Sequence, residues 1–183
     1  MTSKLKTDVL ETVSGSGTIA LTNQLSGMTH ASVPLLTEAQ MPAGSVLQTV
    51  IHHSTAAQSL TSTLWADTGL SVSLTPSSTA SKVKIEFVFS SILIGSGVTA
   101  GCSFRILRGS TSLFTPAAKY AFYAAGGLGG STYRPYMDMA LDEPSTTSEV
   151  TYTVQVAGYS TSLLRINNGS SFRDTIIATE IKG

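Results

Sequence analysis

The chain has 183 residues, enough for one substantial domain and an appendage, and its 11 basic and 11 acidic residues give a net charge of zero. Only 12% of residues are charged while 42% are hydrophobic, so Ser, Thr, Asn, Gln and Gly must supply the polar surface, a composition suited to sheets and turns. Without a basic cluster a nucleic-acid surface is excluded, and the lone Cys102 excludes an intrachain disulfide.

No apolar run approaches the roughly 18 residues that cross a membrane, and no membrane insertion is expected. The start, Met1 to Asp8, lacks the apolar core of a signal peptide. Synthesis in a cytoplasm is therefore expected, with any exit as part of something larger. A neutral, weakly charged surface repels its neighbours little and permits close self-association.

Residues 1–44 read as an extended N-terminal arm. Leu5, Val9, Leu10 and Val13 are scattered, Ser14-Gly-Ser-Gly17 is a turn, and Thr18–Thr22 is a short strand candidate. The section has no aromatic residue and cannot bury enough surface to offset its ordering entropy. It is expected to be ordered, if at all, by copies of itself or by a larger partner. Met41-Pro-Ala-Gly44 marks the boundary, because Pro and Gly interrupt both helix and ladder.

From Ser45 the pattern is β. Val46–His53 is a strand, and Leu60–Trp65 a second, short one. Leu70, Val72 and Leu74 alternate with Ser71 and Ser73, and Val83, Ile85, Phe87 and Phe89 with Lys84, Glu86 and Val88. Period-two alternation marks half-buried strands. With Thr75–Ser81 as a turn-rich connection, the stretch Asp67–Phe89 predicts a β-hairpin. Cys102–Arg108 is expected to pair through Gly109-Ser110 with Ser112–Phe114. Residues 116–131 read as irregular, with a turn or two of helix possible in the Ala-rich part. Tyr133–Leu141 is a strand with Pro135 near its start, which places it at a sheet edge. Asp142–Ser148 is a loop, Glu149–Tyr159 a strand with Val150, Tyr152, Val154 and Val156 inward, and Asn167-Asn-Gly-Ser170 a tight turn. Leu163–Ile166 and Asp174–Lys182 complete the set. Strands at this spacing predict an all-β, jelly-roll-like antiparallel β-sandwich over residues 45–183.

Several pieces in order carry a resemblance: Gly44–Val50, Asp67–Ser78 running into Ser81–Ile85, Phe104–Ser110, Asp142-Glu-Pro144 with Thr151–Gln155, and Ile166–Asn168 before a strand ending Glu180-Ile181. In these the domain resembles tail-fibre-like and other virion structural proteins of bacteriophages and prophages. The resemblance implies a β-sandwich module, commonly trimeric, mounted on a virion, with residues 1–44 attaching it to other virion proteins. It supplies no catalytic residue.

Chemistry is sparse. His52 and His53 are adjacent, so they point to opposite faces of a strand and cannot chelate one ion together. Asp138, Asp142 and Glu143 form the only local carboxylate cluster, but Asp142-Glu-Pro reads as a solvated turn rather than half of a glycoside-cleaving pair. Cys102 alternates with Phe104 and Ile106 and reads as core. The aromatic set Tyr120, Phe122, Tyr123, Tyr133 and Tyr136 surrounds the glycine-rich stretch 126–130 and is the candidate ligand surface, for stacking on sugars or packing on partner chains. Trp65 reads as a core or interface anchor. Asn168-Gly-Ser170 fits a glycosylation sequon but is explained by the turn. No catalytic residue, metal site or cofactor is expected. The reading is a non-enzymatic virion structural protein, a homotrimeric tail fibre whose head domain touches a host surface glycan or protein. The alternative is a capsid decoration protein, followed by a glycan-cleaving spike or a cellular carbohydrate-binding module.

Overall fold

Alternating strands have one dry face each, and the fold is the arrangement that buries those faces together. A computed structural model describes residues 37–94, 99–116, 121–124, 132–160, 163–167 and 172–183. The chain divides into two units, Met1–Thr37 and Glu38–Gly183, and the sandwich is the second. Apart from residues 37–44, the expected arm lies outside the described residues. Residues 38–44 are tied to the sandwich. A single 3-10 turn, Glu38–Gln40, precedes the strands. Lys182 Nζ donates to the carbonyls of Glu38 and Met41, and Gly44 N–H to the carbonyl of Lys182.

Eleven strands follow among the described residues: β1 (Val46–Ser54), β2 (Gln58–Leu60), β3 (Ala66–Leu74), β4 (Lys82–Ile94), β5 (Ala100–Arg108), β6 (Thr111–Ser112), β7 (Phe122–Ala124), β8 (Thr132–Asp142), β9 (Val150–Gly158), β10 (Leu164–Ile166) and β11 (Asp174–Ile181). All pairings are antiparallel, and one set of them is nested: β1 with β11, β3 with β9, β4 with β8, β5 with β6 and β7; the pairings of β4 with β11 and β10, of β5 with β9 and of β2 with β10 join this set into sheets. The chain is thus one long ribbon folded back on itself and wrapped into two sheets, which is the jelly-roll topology. The first sheet runs β1-β11-β4-β8, with β10 and β2 extending it beside the far end of β4; the second runs β3-β9-β5-β6, with β7 also on β5.

This topology corrects the expected hairpin. β3 and β4 belong to different sheets and do not pair. The stretch Thr75–Ser81 crosses between the sheets, which lie about 10 Å apart in a sandwich. The β5–β6 hairpin forms as expected, with Leu107 opposite Ser112 and Gly109 at φ 56°. The short strand expected at Leu60–Trp65 lies instead at Gln58–Leu60 and pairs with β10. Within the Ala-rich stretch, the described part is the strand β7.

The core is what the alternation predicted. Leu70, Val72 and Leu74 of β3 face Val83, Ile85 and Phe87 of β4, with Tyr152, Val154 and Val156 of β9 beside them. An aromatic stack joins the sheets: Phe89 lies 4.9 Å from Phe104 and Phe104 4.7 Å from Tyr136, centroid to centroid.

Two buried carboxylates pin the irregular points. Glu180 is fully buried, and its carboxylate accepts the Ser77 N–H at 2.7 Å, the Ser77 hydroxyl at 2.6 Å and Gln48 Nε2 at 2.6 Å, anchoring the crossover loop. Burial raises its pKa, but the hydrogen bonds outweigh burial and hold it below the usual carboxylate value. Asp174 accepts the N–H of Ser90 at 2.9 Å, where a bulge between Phe89 and Ile92 interrupts the β4–β8 ladder. Here burial dominates and pushes the carboxyl up to about 6.

Candidate assembly surface

The two sheets turn contrasting outer faces to the outside. On the β3-β9-β5 sheet the outward residues are Ser71, Ser73, Thr151, Thr153, Gln155 and Arg105. Several of them hydrogen-bond to one another, Ser73 to Thr151 at 2.7 Å among them. Gln155 Nε2 donates to Asp67 at 2.6 Å, Arg105 donates to Gln155 Oε1 at 2.9 and 2.6 Å, and the Arg105 guanidinium lies 4.6 Å over the Trp65 ring. Trp65, expected as an anchor, holds this arginine.

On the β1-β11-β4-β8 sheet the outward rows read across the strands as Thr49–Thr179–Lys84–Leu141, Ile51–Ile177–Glu86–Met139 and His53–Thr175–Val88–Met137. Met137, Met139 and Leu141 are 67%, 61% and 59% exposed, and Ile51 is 53% exposed at the opposite rim. Exposed apolar residues scattered singly are ordinary; here they share one face. An open hollow of about 270 Å³ lies among Glu86, Val88, Met137, Met139 and Ile177. The charges on this face are matched within it: Lys84 to Glu86 at 2.9 Å, and Lys82 to Glu143 at 3.1 Å.

β8 is the edge of its sheet, and the edge is blunted. The Asp138 carboxylate accepts the N–H of the next residue, Met139, at 2.8 Å, and a hydrogen bond of 3.2 Å from the Tyr136 hydroxyl. In an antiparallel ladder successive residues direct their N–H groups to alternate sides, so Asp138 occupies a donor on the free side. Pro135 removes another donor nearby. The face of β8 is apolar and open while its edge is guarded against strand addition.

The inner side of β8 is clamped. Asp142 is buried and accepts Arg108 at 2.9 Å on both oxygens and the Tyr152 hydroxyl at 2.8 Å. The expectation of a solvated turn at Asp142 is therefore corrected: its carboxylate bridges the two sheets. Tyr152 is held protonated, its pKa raised by burial first and by the bond to Asp142 second. Cys102 is fully buried and burial pushes its thiol up to about 12, consistent with a core residue. His52 and His53 are both exposed, and His53 Nδ1 lies 2.9 Å from the Thr175 hydroxyl. Among the described residues no three of His, Cys, Asp and Glu gather into a metal site.

The aromatic set is spread over different surroundings. Tyr120 lies outside the described residues, as does the glycine-rich stretch. Phe122 and Tyr136 pack against the core. Tyr123 is exposed on β7 and meets Tyr159 edge-on at 4.9 Å. Tyr133 is exposed on the outward face of β8, the face opposite Tyr136. The residues that sequence reasoning passed over are Met137, Met139 and Leu141. Their signal was present: they alternate with Asp138 and Ala140 in a strand that Pro135 had already placed at an edge.

No protein-family model matches the chain, and no curated protein matches it. Among solved structures, the chain is similar to one from the T13 particle of infectious bursal disease virus, at 10% identity with a TM-score of 0.42, over 82% of this chain and 40% of that one. It is also similar to one from the VP2 subviral particle of the same virus, at 13% identity and a TM-score of 0.38, over 82% and 42% of the two chains. The chain spans about two fifths of the length of these structures.

Proposed function

We propose that the chain is a non-enzymatic structural protein of a bacteriophage virion, a homotrimeric tail fibre whose sandwich is the outward-facing head and whose first residues attach it to other virion proteins. The observation that carries the assembly part of this reading is the exposed apolar row Met137, Met139 and Leu141 on the outer face of the β1-β11-β4-β8 sheet, with Ile51 at its opposite rim and the charges of Lys82 and Lys84 matched internally. A module that lives alone in water has no use for such a face, whereas one that acts by buried contact does. The sequence resemblance supplies the virion setting. Function is then adhesion through surface complementarity, with host contact made away from the apolar face.

Copy number and position on the intact particle test this reading. Quantitative mass spectrometry with labelled-antibody electron microscopy is expected to find a few trimers at the tail. Hundreds of copies over the head would instead identify a decoration protein, and absence from purified particles would overturn the virion reading altogether.

A further inference from the structure

The chain enters the sandwich through a segment that packing does not hold. No side chain from Thr37 to Gly44 is buried, so apolar burial, which fixes the core strands, contributes little here. The segment is gripped by hydrogen bonds instead, and three of them come from one side chain at the other end of the domain. Lys182 Nζ donates to the carbonyls of Glu38 at 2.7 Å, Ala39 at 3.3 Å and Met41 at 2.5 Å. A helical turn points its carbonyls one way, and an ammonium carries three donors to meet them.

A tight turn separates this gripped segment from β1. Ser45 N–H donates to the Pro42 carbonyl at 3.2 Å. Gly44 stands at φ 86°, a conformation that favours glycine, with open space where a Cβ would be. From Gly44 onward the backbone is bonded to Lys182: Gly44 N–H donates to its carbonyl, and its own N–H donates to the Ser45 carbonyl, each at 2.8 Å. One residue thus ends the ladder with its backbone and holds the incoming turn with its side chain.

We infer that Lys182 is a clasp: it closes Glu38–Met41 onto the sandwich, and that segment opens and recloses about the Pro42–Gly44 turn while both sheets stay intact. Regions with few buried apolar contacts open at a lower free energy than the core, as separate units. Closed, the chain leaves the domain at Glu38, beside the end of β11. Open, residues 38–43 lend up to about 20 Å of extended chain. The use of this slack, to take up misfit between the head and its mount, rests on the proposed attachment through the first residues; the opening itself does not.

The test uses the full chain. A protease cutting after Glu38 needs that segment extended, so the rate of the cut, read by intact mass, reports the open form. Lys182→Met keeps the aliphatic stem and removes the donors. It is expected to speed the cut about tenfold, the effect of losing a hydrogen bond from a charged donor, with the β-type circular dichroism unchanged. An equal rate in the two proteins would overturn the clasp. Amide exchange of the wild type at rising, sub-denaturing urea gives a measurement that needs no variant. The Met41 N–H, bonded to the Glu38 carbonyl at 3.1 Å, is expected to exchange faster than that of Ile176 in β11 and with a weaker dependence on urea. A Met41 amide that exchanges with the rate and slope of Ile176 opens only when the sandwich unfolds, and the inference is then wrong. Absence of the protein from purified particles would remove the clasp's use in attachment and not the opening, so the two readings fail separately.

Discussion

Asp174 and Glu180 lie on the same strand, both turned inward and out of reach of solvent, yet their surroundings shift them oppositely. Asp174 has one donor, Ser90 N–H, and its folded pKa of about 6 exceeds the ordinary aspartate value of 3.8. The folded state then binds the extra proton between those values, so stability falls as pH rises through that window and the cost is fully present above pH 6. Asp174→Asn keeps an oxygen for Ser90 and removes the charge. It is expected to be more stable than the wild type at pH 8 by up to about 3 kcal/mol, from about 1.4 kcal/mol per pKa unit, with the gap closing below pH 4. Glu180 is the reverse case: its depressed pKa contributes stability above the unfolded value of about 4.5, which is lost as pH falls below it. Glu180→Gln is expected to cost about 2 kcal/mol at pH 7, because the Ser77 and Gln48 donors lose a charged acceptor, and to cost less in acid. Denaturant titrations of both variants at pH 4 and pH 8, at one protein concentration, check the signs. An Asp174→Asn protein less stable at pH 8 would contradict the account. Neither carboxylate was legible as buried from the sequence, since alternation marks position 180 as one of a pair of faces and says nothing of the donors waiting at Ser77.

For the strands the limit of legibility was partnership. Leu70-x-Val72-x-Leu74 and Val83-x-Ile85-x-Phe87 declare their dry faces in period two, and all six are buried. That pattern is the same whether two strands lie side by side in one sheet or face each other across a core, so adjacency in sequence predicts a hairpin where the chain in fact changes sheet. The same limit hid Asp142, whose partner Arg108 is 34 residues away. The β5–β6 hairpin was legible because its turn chemistry is local. β8 was legible as an edge through Pro135, and its open face follows from Met137, Met139 and Leu141. Asp138 is the element-scale test. Asp138→Ala frees the Met139 N–H at the sheet edge and is expected to raise the rate of aggregation several-fold by light scattering on incubation, with the fold retained by circular dichroism. An unchanged rate would show that Asp138 does not guard the strand.

At the scale of the whole molecule the nested ribbon makes almost every important contact distant in sequence: Val46 pairs with Ile181 and Leu74 with Val150. Such topologies close large loops before contacts repay them, so refolding is expected on the millisecond-to-second scale. Stopped-flow fluorescence of Trp65, the sole tryptophan, reports it, and refolding complete within microseconds would contradict the nested pairing. Composition had indicated the class of fold. What it could not show was that exposed apolar residues would gather on the outer face of one sheet, because that depends on which strands share a sheet. The pairing of β1 with β11 carries one more consequence, a mechanical one. Gly44 and Lys182 are bonded to each other, so both ends of the sandwich emerge at the same place. A pull between those ends loads the β1–β11 ladder from one extremity and peels it rung by rung. A pull through one end alone, against a contact made at the far loops, loads no such seam. The domain is therefore suited to hanging from a single point and unsuited to being strung in line between its two ends.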